Sequence, residues 1–230
     1  MLGAFGLGAV AQISLLLAGV VVCWVAVPRR SVGILAGFGA GAMISAISFS
    51  LVDEASTLDA WSLGGWMLVG VALFLAGDRY VERRYGSEGE GGAMGIVVGS
   101  VVDGIPESII LGIQVAIGAP LSATFIGAIV VSNIPQALAP SAELAGDGWG
   151  AARLARLWTA VVVACGLAAA AGWVIGDVSG NATGAAMAAI AAGGLLAMLT
   201  DSLMPFAYER GGDLAGAATV VGFCLALGTA

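Results

Sequence analysis

Two six-residue stretches carry the groups that could do chemistry: Val102-Asp103-Gly104-Ile105-Pro106-Glu107 and Val131-Ser132-Asn133-Ile134-Pro135-Gln136. Each lies within an apolar run long enough to cross a bilayer, and each puts polar groups and a proline where a spanning helix should have neither. Insertion scales price one Asp at mid-membrane at about 2.5–3.5 kcal/mol. Asp103 and Glu107 are four residues apart, so on a helix they share one face. Pro106 cannot donate to the carbonyl of Val102, nor Pro135 to that of Val131. Gly104 loosens the same turn as Pro106. Carbonyls freed at membrane depth are tolerated where they face protein, water or an ion. The two stretches therefore offer side-chain oxygens from Asp103, Glu107, Asn133 and Gln136, with Ser132 and backbone carbonyls able to join them. With both acids ionised the cluster is doubly negative, and no Arg lies within a span to neutralise it. A bound cation is the simplest compensation. The alternative is that these groups hydrogen-bond one another and hold a kinked helix pair together, with one or both acids protonated.

The elements that must position these groups follow from composition. The chain has 230 residues, 60% of them hydrophobic and only 10% charged, with a mean hydropathy of +1.03. That is an all-α integral membrane protein, not a soluble domain. Its 37 glycines, falling largely in apolar segments, suit helices whose backbones approach closely. Apolar segments lie at about 3–27, 31–52, 60–77, 94–117, 119–142, 157–176, 183–205 and 214–230, which predicts eight spans near the required length of about 20 residues. All eight basic residues are Arg. Arg29 and Arg30 follow the first segment; Arg79, Arg83 and Arg84 the third; Arg153 and Arg156 the fifth; Arg210 the seventh. The even connections hold only acids: Asp53, Glu54, Asp59 and Asp177. By the positive-inside rule both termini are outside. The first segment lacks a basic n-region and reads as a helix, not a cleaved signal peptide.

A single transmembrane domain over 1–230 is expected, with helices one to three at about 3–77, a cytoplasmic loop at about 78–93, and helices four to eight at about 94–230. Segments two and seven share a faint likeness. Gly41-Ala42-Met43-Ile44 through Ser50-Leu51-Val52 lies over Gly193-Gly194-Leu195-Leu196 through Ser202-Leu203-Met204, and the two cross in opposite directions, as an inverted repeat requires. The net charge of −7 and the lack of a basic cluster exclude nucleic acid as a partner. Cys23, Cys165 and Cys224 are dispersed in apolar segments and read as packing residues.

With these motifs and this topology, the chain resembles the ZIP (Zrt/Irt-like) family of metal transporters. That family has eight spans in a 3+2+3 arrangement, both termini outside, and a cytoplasmic loop after the third helix. Its fourth helix carries a pattern like His-Asn-x-Pro-Glu-Gly, and its fifth one like His-Glu-x-Pro-His or Gln-Asp-x-Pro-Glu. Here Asp103 stands at the histidine, Pro106 at the proline and Glu107 at the acid, while Ser132, Asn133, Pro135 and Gln136 take the matching places in the fifth. Segment two, from Ala40 to Glu54, and segment seven around Asp201 to Pro205 also look like family helices. The resemblance implies a divalent-cation substrate (zinc, iron or manganese class), moved by alternating access through a mid-membrane site of Asp103, Glu107, Asn133, Gln136 and Ser132. It implies a multi-pass protein of the cell (cytoplasmic, inner) membrane with the bilayer and the metal ion as partners. A homodimer is compatible with it, and no resident cofactor is implied. The chain departs from the family in having no histidine. At the family's second metal position it offers only Gly104, Asn133 and Ala169, so at most one oxygen-only site remains. Such a site favours harder ions such as Mn²⁺ over zinc. Asp201 could relay ions at the cytoplasmic end or be a solvated helix end. Asp53 and Glu54 read as an acidic outer loop able to attract cations.

A competing reading is a ZIP-fold protein that carries no metal, either a proton-coupled carrier of another solute or a non-transporting membrane protein. An enzyme is not expected: there is no H-E-x-x-H and no G-x-S-x-G, and an aspartyl dyad fails because the second helix offers Asn133 and Gln136.

Overall fold

The structure is a computed structural model that describes residues 1–85, 93–118, 122–179 and 184–228, and all their side chains except those of residues 81, 82, 84, 85, 93–96, 98–100, 102, 103 and 179. Among the described residues there is no strand and there are eight helices. These are α1 (Leu2–Val21), α2 (Arg29–Ala55), α3 (Ala60–Tyr85), α4 (Ala93–Ile117), α5 (Ala123–Gly146), α6 (Ala151–Ser179), α7 (Gly184–Gly211) and α8 (Asp213–Leu227). Helices α1, α2, α3, α5, α6 and α7 contain described stretches long and apolar enough to cross a membrane. The chain is a multi-pass membrane protein.

Helix α3 runs further than its composition suggests. The Arg79–Arg84 stretch, expected in the connecting loop, continues the helix to Tyr85; Arg, Tyr and Glu are adequate helix formers, and nothing breaks the run before Gly86. Residues 86–92 of the expected loop lie outside the described residues. At its other end α3 is capped by Asp59, which accepts hydrogen bonds from the backbone N–H of Trp61 at 3.1 Å and of Ser62 at 3.2 Å, and from the Ser62 hydroxyl at 2.6 Å. Most of α3 faces outward, with Trp61, Leu68 and Leu73 exposed. Lipid, unlike water, accepts such a surface without penalty.

The likeness between the second and seventh segments is a structural correspondence. Residues Ile47–Leu51 in α2 and Leu199–Leu203 in α7 both form wide π-turns, 152 positions apart. A Cβ on Gly41 would strike the carbonyl of Thr219, and one on Gly193 that of Met67. A Cβ on Gly222 would strike the carbonyl of Phe38, and one on Gly70 that of Ile190. In both cases the same shift of 152 carries one contact onto the other. Helix α8 therefore lies along α2 as α3 lies along α7. The start of α2 (Gly33) meets the end of α7 (Arg210, Gly211), and its end (Glu54) shares a cavity with the start of α7 (Gly184, Met187). The two repeats thus run in opposite directions.

The correspondence is broken where the repeats meet α4 and α5. On one side α2 is closed onto α5: a Cβ on Gly39 would lie 2.8 Å from Cα of Ser132. On the other, Ala191 stands 152 positions after Gly39 and lines a cavity of about 510 Å³ between α3, α4 and α7, with Phe74, Pro106 and Ile109. Gly39 and Ala191 are therefore packed differently, one closed onto a neighbouring helix and the other beside a cavity.

Candidate functional site

Three helices bring polar groups together at their midpoints. Helix α1 breaks at Gln12, whose backbone (φ −93°, ψ 0°) leaves the helical region before α1 resumes at Ile13. The break projects the Gln12 side chain into the bundle, where it is fully buried. Its Nε2 donates to Oε2 of Glu107 on α4 at 3.1 Å. Its Oε1 accepts from Nδ2 of Asn133 on α5 at 2.6 Å. Glu107 and Asn133 are each 1% exposed.

Gly104 takes a part beyond the one its position suggested. A Cβ there would lie 3.0 Å from Sγ of Cys165, 3.5 Å from Nε2 of Gln12 and 3.6 Å from its Oε1. The residue leaves room for the Gln12 amide and for α6, in addition to any loosening of the α4 turn. Pro106 and Pro135 both lie inside continuous helices.

Of the residues expected at the site, Glu107 and Asn133 are brought together, but through Gln12, which sequence reasoning missed. The available signal was an amide alone in the apolar run of the first segment. Gln136 is buried one turn beyond Asn133 on the same face of α5. The Ser132 hydroxyl donates to the carbonyl of Ile129 in its own helix at 3.0 Å. The side chain of Asp103 lies outside the described residues. Ala169, which the resemblance sets at a ligand position, is buried where α6 crosses α1 and α4, against Gly8 and Gly112, and offers no side-chain oxygen. Asp201 is exposed on the π-turn of α7. That turn precedes Pro205, which cannot donate to the Asp201 carbonyl. Asp53 is exposed, whereas Glu54, expected in an open acidic loop, is partly buried and accepts from Nε2 of Gln114 on α4 at 3.2 Å. The last turn of α2 tucks it between α4 and α7.

Chemically, the described side chains of the centre offer one carboxylate and amide groups that can turn either an oxygen or an N–H toward a guest. Carboxylate and amide oxygens suit hard or intermediate cations. Without a guest, the Gln12 amide supplies a donor to Glu107, which lowers the cost of burying it. No protein-family model and no curated protein matches this chain.

Proposed function

We propose that the chain is a divalent-cation transporter of ZIP-like fold, and that Glu107 is the residue the ion cannot do without. The observation that carries this reading is a carboxylate 1% exposed at the middle of α4, held by the Gln12 amide of α1, which Asn133 of α5 holds in turn. Paired or ion-binding roles are the usual reason for an ionisable group at that depth. The ion is coordinated by oxygens of Glu107, Asn133 and Gln136, with Asp103 on the same helix face. Gln12 exchanges its bond to Glu107 for the ion. The helices are arranged 3+2+3, with both termini outside and every Arg-bearing connection in the cytoplasm of a cell whose cytoplasmic membrane holds the protein.

Alternating access is supported by the unequal seams. Inverted repeats can exchange conformations, so the closed α2–α5 seam and the open α4–α7 seam are the two arrangements that each half visits in turn.

A second reading has an observation in its favour. Gln12 already links Glu107 to Asn133, so the three form a polar staple that needs no ion. Uptake of Mn²⁺, Fe²⁺ and Zn²⁺ into proteoliposomes, beside thermal stability of purified protein with and without each ion, separates the two. The transporter reading expects metal-dependent stabilisation and uptake, both lost in Glu107→Ala. Asp103→His should shift preference toward Zn²⁺. Equal behaviour of wild type and Glu107→Ala with every ion would leave the staple.

A further inference from the structure

We propose that a cavity lined by Arg29, Arg210 and Glu143 is a phospholipid-headgroup site, taking the lipid phosphate on the two guanidiniums and an ammonium, as of an ethanolamine headgroup, on the carboxylate. The cavity measures about 210 Å³ and lies between the start of α2, the end of α5 and the end of α7. That is many times the roughly 10–15 Å³ that one water needs. The two arginines come together because their helices do. Gly33 follows Arg29 by one turn on the same face of α2, and a Cβ there would lie 2.7 Å from Cβ of Arg210. The Arg210 guanidinium lies over the Phe206 ring, 4.0 Å from its centroid. Stacking holds the plane of the group and leaves the N–H donors along its edge to meet an anion. Arg29 is near enough to repel Arg210, while Glu143 and Glu209 attract it. Of these two acids Glu143 lines the cavity, so the charged lining is two cations to one anion.

The lining is graded as a lipid is. Its charges stand at the helix ends: Arg29 opens α2, and Glu143 and Arg210 lie in the last turns of α5 and α7. Val32, Leu138 and Ala139, all buried, stand about one turn further into their helices and continue the wall. The ends of apolar spans are where headgroups lie, and basic pockets between spans suit phosphate-bearing headgroups. A free phosphate ion would use the arginines but neither the carboxylate nor the apolar wall. Glu143 repels a purely anionic headgroup and attracts an ammonium, which favours the zwitterion. The proposed topology sets this end in the cytoplasmic leaflet. The site itself depends neither on that nor on an ion at Glu107.

The test is native mass spectrometry of the purified protein released from detergent, titrated with dioleoyl phosphatidylethanolamine, dioleoyl phosphatidylglycerol or inorganic phosphate. Wild type should bind one copy of the ethanolamine lipid more tightly than any further copy, and about threefold or more tighter than the glycerol lipid. Inorganic phosphate should not displace it. Arg29→Gln and Arg210→Gln should each weaken that copy about tenfold or more, the loss of a charge-assisted bond. Arg156→Gln, at an exposed arginine outside the cavity, should not. Glu143→Gln should bind the glycerol lipid about threefold or more tighter than wild type does, a gain that misfolding cannot mimic. If Arg29→Gln, Arg210→Gln and Glu143→Gln all bind as wild type does, the charges are only a solvated cluster and the proposal fails. Displacement by inorganic phosphate assigns the cavity to a free anion and overturns the lipid. A wild-type preference for the glycerol lipid overturns the part given to Glu143. None of these outcomes touches metal uptake through Glu107, so the two readings stand or fall separately.

Discussion

Replacing Gln12 with leucine keeps nearly the same volume and deletes both hydrogen bonds that join α1 to α4 and α5. The two bonds are not equivalent. The link to Asn133 joins neutral amides, and double-mutant cycles in a membrane protein value such bonds at about 0.6 kcal/mol on average, with a maximum near 1.7. The link to Glu107 ends on a carboxylate, and bonds to a charged group contribute about 1.5–3 kcal/mol. Gln12→Leu should therefore cost about 2–4 kcal/mol, because the partners are also left buried. Two cycles, Gln12→Leu with Glu107→Leu and Gln12→Leu with Asn133→Leu, resolve the parts through reversible unfolding in mixed micelles. If Glu107 is ionised without an ion bound, its coupling to Gln12 exceeds that of Asn133 by about 1–2 kcal/mol. If Glu107 is protonated, the two couplings are alike. Saturating Mn²⁺ should lower the Glu107 coupling, since the ion takes over the carboxylate. Couplings below about 0.3–0.5 kcal/mol in both cycles, the range of independent sites, would refute the claim that Gln12 joins the three helices.

Three further outcomes are expected. Gly41→Val and Gly193→Val should each abolish folded protein in detergent extracts, because the added carbons meet the backbone of Thr219 or Met67; Gly64→Ala and Gly65→Ala, with nothing within 4 Å, should not. The Ser62 hydroxyl and backbone hold the Asp59 carboxyl below the usual carboxylate range, so its cap is fully present above the ordinary Asp pKa and is lost as pH falls through the lowered one; hydrogen exchange of the Trp61 and Ser62 amides should speed up in that acid window in wild type, and at neutral pH in Asp59→Ala. In a background free of native cysteines, Arg83→Cys should resist impermeant thiol reagents applied to intact cells, and labelling from outside would overturn the proposed topology.

Helix existence and the polar centres were legible because their causes are local. Apolar run length, arginines confined to alternate connections, and prolines beside acids are visible one residue at a time. The cost of a mid-membrane carboxylate is a property of the residue, and it pointed to Glu107 without any knowledge of its neighbours. Which groups meet is a property of helix faces. Gln12 became part of the centre only because α1 breaks at that residue and leans on α4 and α5. Glu54 left its expected loop only because the end of α2 is tucked against Gln114. The repeat was faint in the residues for a physical reason. Where a glycine touches a bare carbonyl, the contact requires the absence of a side chain on one helix and nothing in particular on the other. Thr219 and Met67, or Phe38 and Ile190, can therefore stand in equivalent places without resembling one another. Backbone contact preserves the geometry while leaving the partner's identity free, so the likeness of segments two and seven was faint in the residues, and the matching of α8 to α3 is visible only in the tertiary structure.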